Sequence, residues 1–212
     1  MRILILGAGG TGGYFGGRLA EAGVDVTFLV RPRRAAQLER EGLVLRSPLG
    51  HACFPVQHVT AEALPALAAS APFDLVILSC KAYDLDSAIE AIAPAVGAQT
   101  TVLPILNGLR HYPALDARFG HDAVLGGLCF ISATKADDGA VMHLGKAARL
   151  TFGERDGATS SARVQAFAAA CAQAGIDHLA SDRIGQEQWA KYSFLTALAA
   201  GTCLLRADVG TV

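Results

Sequence analysis

The chain has 212 residues, of which 52% are hydrophobic and 17% charged, and its formal net charge is -1. Intrinsic disorder needs low hydrophobicity with high charge, and binding along a phosphate backbone needs surplus Lys and Arg, so the composition excludes both. The length suits one buried core, with room for part of a second domain.

Residues 2–6 are a short β-rich run, and 11–22 are helix-compatible up to Gly23. A second strand is expected over 25–30, then a charged amphipathic helix over 33–41 closed by Gly42. Residues 43–46 and 52–56 flank Ser47-Pro48-Leu49-Gly50, which reads as a hairpin turn. A short helix is expected over 61–69, a strand buried on both faces over 73–79, a helix over 85–95 and another buried strand over 100–106. Strands alternating with helices imply βαβ units, an α/β fold and a parallel sheet. The pattern then changes. Short strands over 123–131, 140–143 and 149–152, with little helix between them, point to an antiparallel extension of the sheet. An alanine-rich helix over 160–173 stops at Gly175, and residues 184–205 favour helix throughout. The boundary near 180–183 divides the chain into a Rossmann-type dinucleotide-binding domain over 1–180 and the start of an all-helical second domain over 181–212.

The longest apolar run, 194–205, has 12 residues and is interrupted by Thr196, Gly201 and Thr202, whereas a membrane-spanning helix needs about 20. The apolar run after Arg2 stops in a glycine cluster after four residues, short of the roughly 7–15 of a secretory segment. Cys53, Cys80, Cys129, Cys171 and Cys203 are widely spaced, and the six histidines show no metal-ligand spacing. The expectation is a cytoplasmic protein with reduced, buried cysteines, no metal, no membrane and no nucleic-acid partner.

Gly7-Ala8-Gly9-Gly10-Thr11-Gly12 fits G-x-G-x-x-G with a strand before it and a helix after it. Gly7 permits the tight turn, Gly9 lets the backbone approach a pyrophosphate, and Gly12 lets the helix pack closely on the strand. The helix N-terminus then offers free N–H groups and a positive dipole end to phosphates. The alternative is a tight βα turn with no ligand. An NAD site carries Asp or Glu at the end of the second strand, but this chain has Val30-Arg31-Pro32-Arg33-Arg34. A guanidinium there pairs with a 2′-phosphate, which favours NADP(H), with Arg31 the best-placed candidate and at least one of Arg33 and Arg34 merely solvated.

Lys81 and Asn107 each follow a buried strand, and ligands of open parallel sheets lie beyond the strands' carboxyl ends. Both are either site residues facing a nicotinamide or ordinary loop residues. Lys191 lies in an apolar helix after Trp189. Either its stem packs while the ammonium reaches water, or it enters the interdomain cleft as a proton donor.

With these residues assembled, the sequence resembles the ketopantoate reductase family, the 2-dehydropantoate 2-reductases. The resemblance rests on residues 1–17, Lys81-Ala82-Tyr83-Asp84, Leu106-Asn107-Gly108, Asp138-Gly139-Ala140-Val141-Met142-His143 and Trp189-Ala190-Lys191. It implies NADPH-dependent reduction of a 2-oxo acid to a 2-hydroxy acid. Gly7 to Gly12 would hold the pyrophosphate, Arg31 the 2′-phosphate, Lys81 and Asn107 would lie by the nicotinamide ribose and the reacting carbonyl, and Lys191 would be catalytic. The family usually places asparagines one and two turns beyond the lysine, where this chain has Leu195 and Ala199. Residues at i, i+4 and i+8 share a helix face, so bulkier or less polar 2-oxo acids are expected as substrates. Family members also continue past the point matching Val212, which leads to the expectation of a chain lacking most of its C-terminal domain. The apolar helix over 184–205 would then be buried in a homodimer or higher homo-oligomer. Two other readings remain open: a non-catalytic NADP(H)-binding or redox-sensing module, and a two-domain dehydrogenase of another small carbonyl compound.

Overall fold

Strand β1 (Arg2–Leu6) pairs in parallel with β2 (Asp25–Leu29) on one side and β6 (Leu75–Leu78) on the other. Outside them lie β5 (Gln57–Val59) and β7 (Thr101–Pro104), completing a parallel five-stranded sheet of order β5-β2-β1-β6-β7. The structure, a computed structural model, describes residues 1–157 and 161–212. Side chains alternate across a strand, and the sheet accordingly divides two cores. Ile3, Ile5, Phe28, Ile77 and Leu103 face one of them. Leu4, Leu29, Val76, Leu78 and Val102 face the other, which also takes residues of α3 (Leu64–Ser70), α4 (Leu85–Ile92) and α5 (Tyr112–Phe119).

The expected antiparallel extension takes the form of a second, mixed sheet. Its long strand β9 (Val141–Gly153) pairs antiparallel with β8 (Gly126–Lys135) and parallel with both β3 (Leu43–Arg46) and β10 (Asp177–Ala180). Strand β4 (Ala52–Phe54) lies antiparallel to β3, so the hairpin expected around residues 47–50 forms. The strand expected over 52–56 is split: Pro55 has no N–H for a ladder, and the chain beyond it crosses to the first sheet as β5. The two strands expected over 140–143 and 149–152 are one strand with an irregularity, since the register shifts between Ile131 and Ala133 opposite it. His143 spans that irregularity, with Nε2 3.1 Å from the Ala147 carbonyl and Nδ1 2.9 Å from Ser47 Oγ. A carbonyl only accepts, so Nε2 carries the proton and Ser47 donates to Nδ1.

Helix α1 (Gly10–Glu21) lies between the two sheets, and its glycines are the contact surfaces. A Cβ at Gly16 would meet Phe28 at 2.7 Å on the first sheet, while a Cβ at Gly13 or Gly17 would meet Val141 at 2.7 Å or Leu43 at 2.9 Å on the second. Helix α2 (Pro32–Glu41) follows β2. Helix α6 (Ala162–Gln173) is capped by Ser161, whose hydroxyl accepts from the Val164 N–H, and Ser160 of the expected helix lies outside the described residues. Helix α7 (Ile184–Leu205) has the expected bounds and packs its first turns on β8 and β9. Among the described residues, no helix is long and apolar enough to cross a membrane.

Candidate active site

The carboxyl ends of the first sheet's strands set out the predicted site residues in a row. Across the sheet they run from Arg31 after β2, through Gly7–Gly12 after β1, to Lys81 after β6 and Asn107 after β7. The chain moves to opposite sides of β1 when it lays down β2 and β6, and open α/β sheets take ligands in the crevice at such a switch point.

The turn after β1 has the build of a phosphate cradle. Gly7 sits at φ +91, a conformation that L side chains rarely adopt, while its N–H donates to the Leu29 carbonyl at 2.8 Å. A Cβ at Gly9 would meet nothing within 4 Å, so that side of the turn is open. Gly12 is the opposite case. A Cβ there would collide with Ser79 Oγ and lie 2.6 Å from the Gly7 carbonyl. Ser79, at the end of β6, donates to the Leu6 carbonyl at 2.8 Å and so ties the two central strands beneath the turn. Helix α1 starts with no side-chain cap and no acidic residue in its first turn, which leaves its N-terminal N–H groups and dipole available to an anion. These features fit a dinucleotide pyrophosphate.

The arginines after β2 differ from one another. Arg31 is exposed and makes no side-chain hydrogen bond or ion pair among the described residues. Arg33 is exposed as well. Arg34 turns inward: Nη2 donates to the Ala8 carbonyl of the glycine turn at 3.2 Å, and Nη1 to Gln37 Oε1 at 2.7 Å. Its Nε is buried without a hydrogen-bond partner among the described residues, and burial lowers its pKa. The basic cluster alone does not distinguish Arg34 from its neighbours. Lys81 is exposed at the start of a short 3-10 turn, and its side chain likewise makes no contact of this kind among the described residues.

Asn107 and Lys191 are brought together although 84 positions apart. Lys191 Nζ donates to Asn107 Oδ1 at 2.9 Å and to the Cys129 carbonyl at 2.5 Å. Burial lowers the pKa of the ammonium, with a smaller opposing effect from the Cys129 thiol. That thiol is itself buried, which raises its pKa, and it donates to the Ile105 carbonyl at 3.6 Å. The role of Cys129 rests on its backbone oxygen, for which the sequence carries no signal. An ammonium has three donors, and two are engaged. A groove of about 580 Å³ lies beside the pair, lined by Asn107, Gly108, Tyr192, Leu195, Thr196, Ala199 and Ala200. Its walls are almost wholly apolar, as expected from Leu195 and Ala199.

The family described as ketopantoate reductase PanE/ApbA matches residues 3–157. An uncharacterized oxidoreductase YkpB of Bacillus subtilis is 39% identical over the whole chain, which covers 68% of it. A 2-dehydropantoate 2-reductase of Mesorhizobium japonicum is 28% identical, again over the whole chain, which covers 71% of it. In three dimensions, the crystal structure of 2-dehydropantoate 2-reductase from Geobacter metallireducens is similar at a TM-score of 0.86 and 32% identity, covering 97% of this chain and 66% of that one. The chain thus spans about two thirds of the length of these relatives. Matched over most of its length by the family model and in full by a 2-dehydropantoate 2-reductase, this chain belongs to the ketopantoate reductase family.

Proposed function

We propose that the protein reduces 2-oxo acids to 2-hydroxy acids with NADPH. The observation that carries this reading is the Lys191 ammonium, held by Asn107 and the Cys129 carbonyl at the carboxyl end of β7. Gly7, Ala8, Gly9, Gly10, Thr11 and Gly12 would hold the pyrophosphate, Arg31 the 2′-phosphate, and Lys81 and Asn107 would lie toward the nicotinamide ribose. Bound NADPH supplies the hydride that the carbonyl carbon takes up. The chain's own part is the proton. The two acceptors orient Nζ, and its third N–H is left for the ketone oxygen. Partial burial makes that proton easier to release, and the positive charge stabilises the developing alkoxide. Lys191 is left neutral and regains a proton from solvent.

The apolar groove beside Lys191 favours a 2-oxo acid with a branched or aromatic side chain over ketopantoate, whose hydroxyl would find few partners there. The functional assembly in this reading is a homodimer, because α7 presents Trp189, Tyr192, Phe194 and Leu205 to solvent. The test is NADPH oxidation against a panel of 2-oxo acids, ketopantoate included, alongside Lys191→Ala. Turnover lost in the variant supports the proposal. NADPH binding without turnover of any 2-oxo acid would overturn it in favour of a non-catalytic NADP(H)-binding module.

A further inference from the structure

One buried polar side chain on α7 has no part in the proton transfer described above. Gln188, 8% exposed, precedes Lys191 by three residues. Its Nε2 donates to the Gly127 carbonyl at 3.1 Å and to the Tyr112 hydroxyl. The Gly127 N–H donates to that same hydroxyl at 3.1 Å. Tyr112 is held firmly in turn: the Arg155 guanidinium lies 4.5 Å from its ring centroid and binds Asp116, one turn along α5, through two hydrogen bonds of 2.6 and 2.9 Å.

Gly127 and Cys129 are two residues apart on β8. Helix α7 therefore meets this strand at two successive points, Gln188 on Gly127 and Lys191 on the Cys129 carbonyl. Residues three apart on a helix point within about 60° of each other, so both belong to the face turned toward β8. Apolar packing is non-directional and leaves a helix free to rotate slightly about its axis. A buried amide is costly unless bonded and has few positions in which it is bonded. Gln188 thus fixes the rotation of α7 at the turn from which Lys191 projects. A lysine stem is otherwise long enough to carry its ammonium out to water.

We infer that Gln188, together with the Tyr112 hydroxyl, is a positioning residue that aims the Lys191 ammonium at Asn107 and the Cys129 carbonyl. The inference rests on the proposed reading of Lys191 for its kinetic consequence, but its geometry can be tested without any substrate. The chain has four lysines, at 81, 135, 146 and 191, so lysine labelled with carbon-13 at Cε gives four titrating NMR signals. The Lys191 signal is the one lost in Lys191→Arg. Among the described residues, the titratable group acting on Lys191 is the Cys129 thiol, which burial keeps neutral.

In Gln188→Leu, which keeps the side chain's bulk, and in Tyr112→Phe, which deletes only the hydroxyl, the Lys191 ammonium should be freed toward water and its midpoint should move up by about half a pH unit or more. Turnover of a 2-oxo acid should fall about tenfold with the KM for NADPH unchanged. A Lys191 midpoint unchanged in the folded variants would overturn the inference. If Gln188→Leu does not fold, Tyr112→Phe decides alone. If the midpoint moves while even the wild-type chain turns over no 2-oxo acid, the positioning role stands and the proposed reaction falls.

Discussion

Arg34 and Ala8 are joined by a hydrogen bond of 3.2 Å from guanidinium to carbonyl, so the helix after β2 grips the turn after β1. Through Gln37, whose Nε2 donates to the Asp138 carbonyl at 2.7 Å, the same line of contacts reaches the turn between β8 and β9. The side chain of Arg31, three residues earlier, is left unengaged among the described residues. One arginine shapes the cradle and the other faces outward from it.

This division predicts two different losses. A bidentate charged contact contributes about 1.5–3 kcal/mol, so the chain should bind NADPH at least tenfold more tightly than NADH, and Arg31→Ala should remove most of that preference. Arg34→Ala should instead weaken both cofactors by similar factors, because it loosens the turn they share. Calorimetric titration of each variant with each cofactor separates the cases. Equal wild-type affinities for the two would contradict the assignment of Arg31.

For Lys191 the expected pH dependence has a definite sign. A proton donor works in its charged form, so turnover should be level at lower pH and fall as pH rises through the Lys191 pKa. Burial places that pKa below the usual lysine value, so the fall should begin below the pH at which an exposed lysine titrates. Lys191→Met should lose about 100-fold or more in kcat and show no such limb, while its affinity for NADPH stays unchanged. The kcat–pH profiles of the two proteins are the check.

The groove makes a prediction about selectivity. Leu195→Asn places an amide one turn beyond Lys191, where a substrate hydroxyl can bond to it. The ratio of kcat/KM for ketopantoate to that for a branched-chain 2-oxo acid should rise about tenfold or more, with Ala199→Asn adding to the change. An unaltered ratio would mean that the substrate side chain lies elsewhere.

His111 should report acid stability. It is buried, its Nε2 has no hydrogen-bond partner among the described residues, and burial, with a smaller push from Arg155, lowers its pKa from 6.5 to about 4. The native state keeps it neutral while the unfolded chain protonates it. Stability should therefore be fully present above pH 6.5 and decline as pH falls toward 4, by about 3 kcal/mol in total. Urea unfolding at pH 7 and pH 4.5 should show most of that difference vanish in His111→Phe.

Association is the simplest expectation to measure. Trp189 is 60% and Phe194 52% exposed on the same helix. A dimer at micromolar concentration by light scattering is expected, weakened by Trp189→Lys with Phe194→Lys. A monodisperse wild-type monomer would exclude it.

Strands β1, β2, β6 and β7 of the parallel sheet were legible because each is a mainly apolar run closed by glycine or polar residues. Local patterning could not show that β3 lies against β9, since Leu45 and Val141 meet only through tertiary packing. Strands β5 and β10 and helix α5 escaped for related reasons: the strands have only three and four residues, and α5 opens on Tyr112-Pro113 with a mixed charged face. At the site, the glycine turn, Asn107 and Lys191 stand out as polar or glycine positions bordering apolar sequence. Arg34 could not be told from Arg31 and Arg33, and Gln188 looks like any polar residue on a helix. The Cys129 carbonyl has no side-chain signature at all.

Five of the twelve residues of α1 are glycine. Each costs about 1 kcal/mol of helix propensity relative to alanine, about 5 kcal/mol together, so this segment would not hold a helix by itself. It is helical because two sheets close on it from either side. The glycine turn at its N-terminus should therefore keep its shape only while both sheets are assembled, and should melt as one cooperative unit with them. A dinucleotide bound there should slow amide exchange in β9 as much as in β1, and the affinity of the turn becomes a gauge of the integrity of the whole two-sheet body.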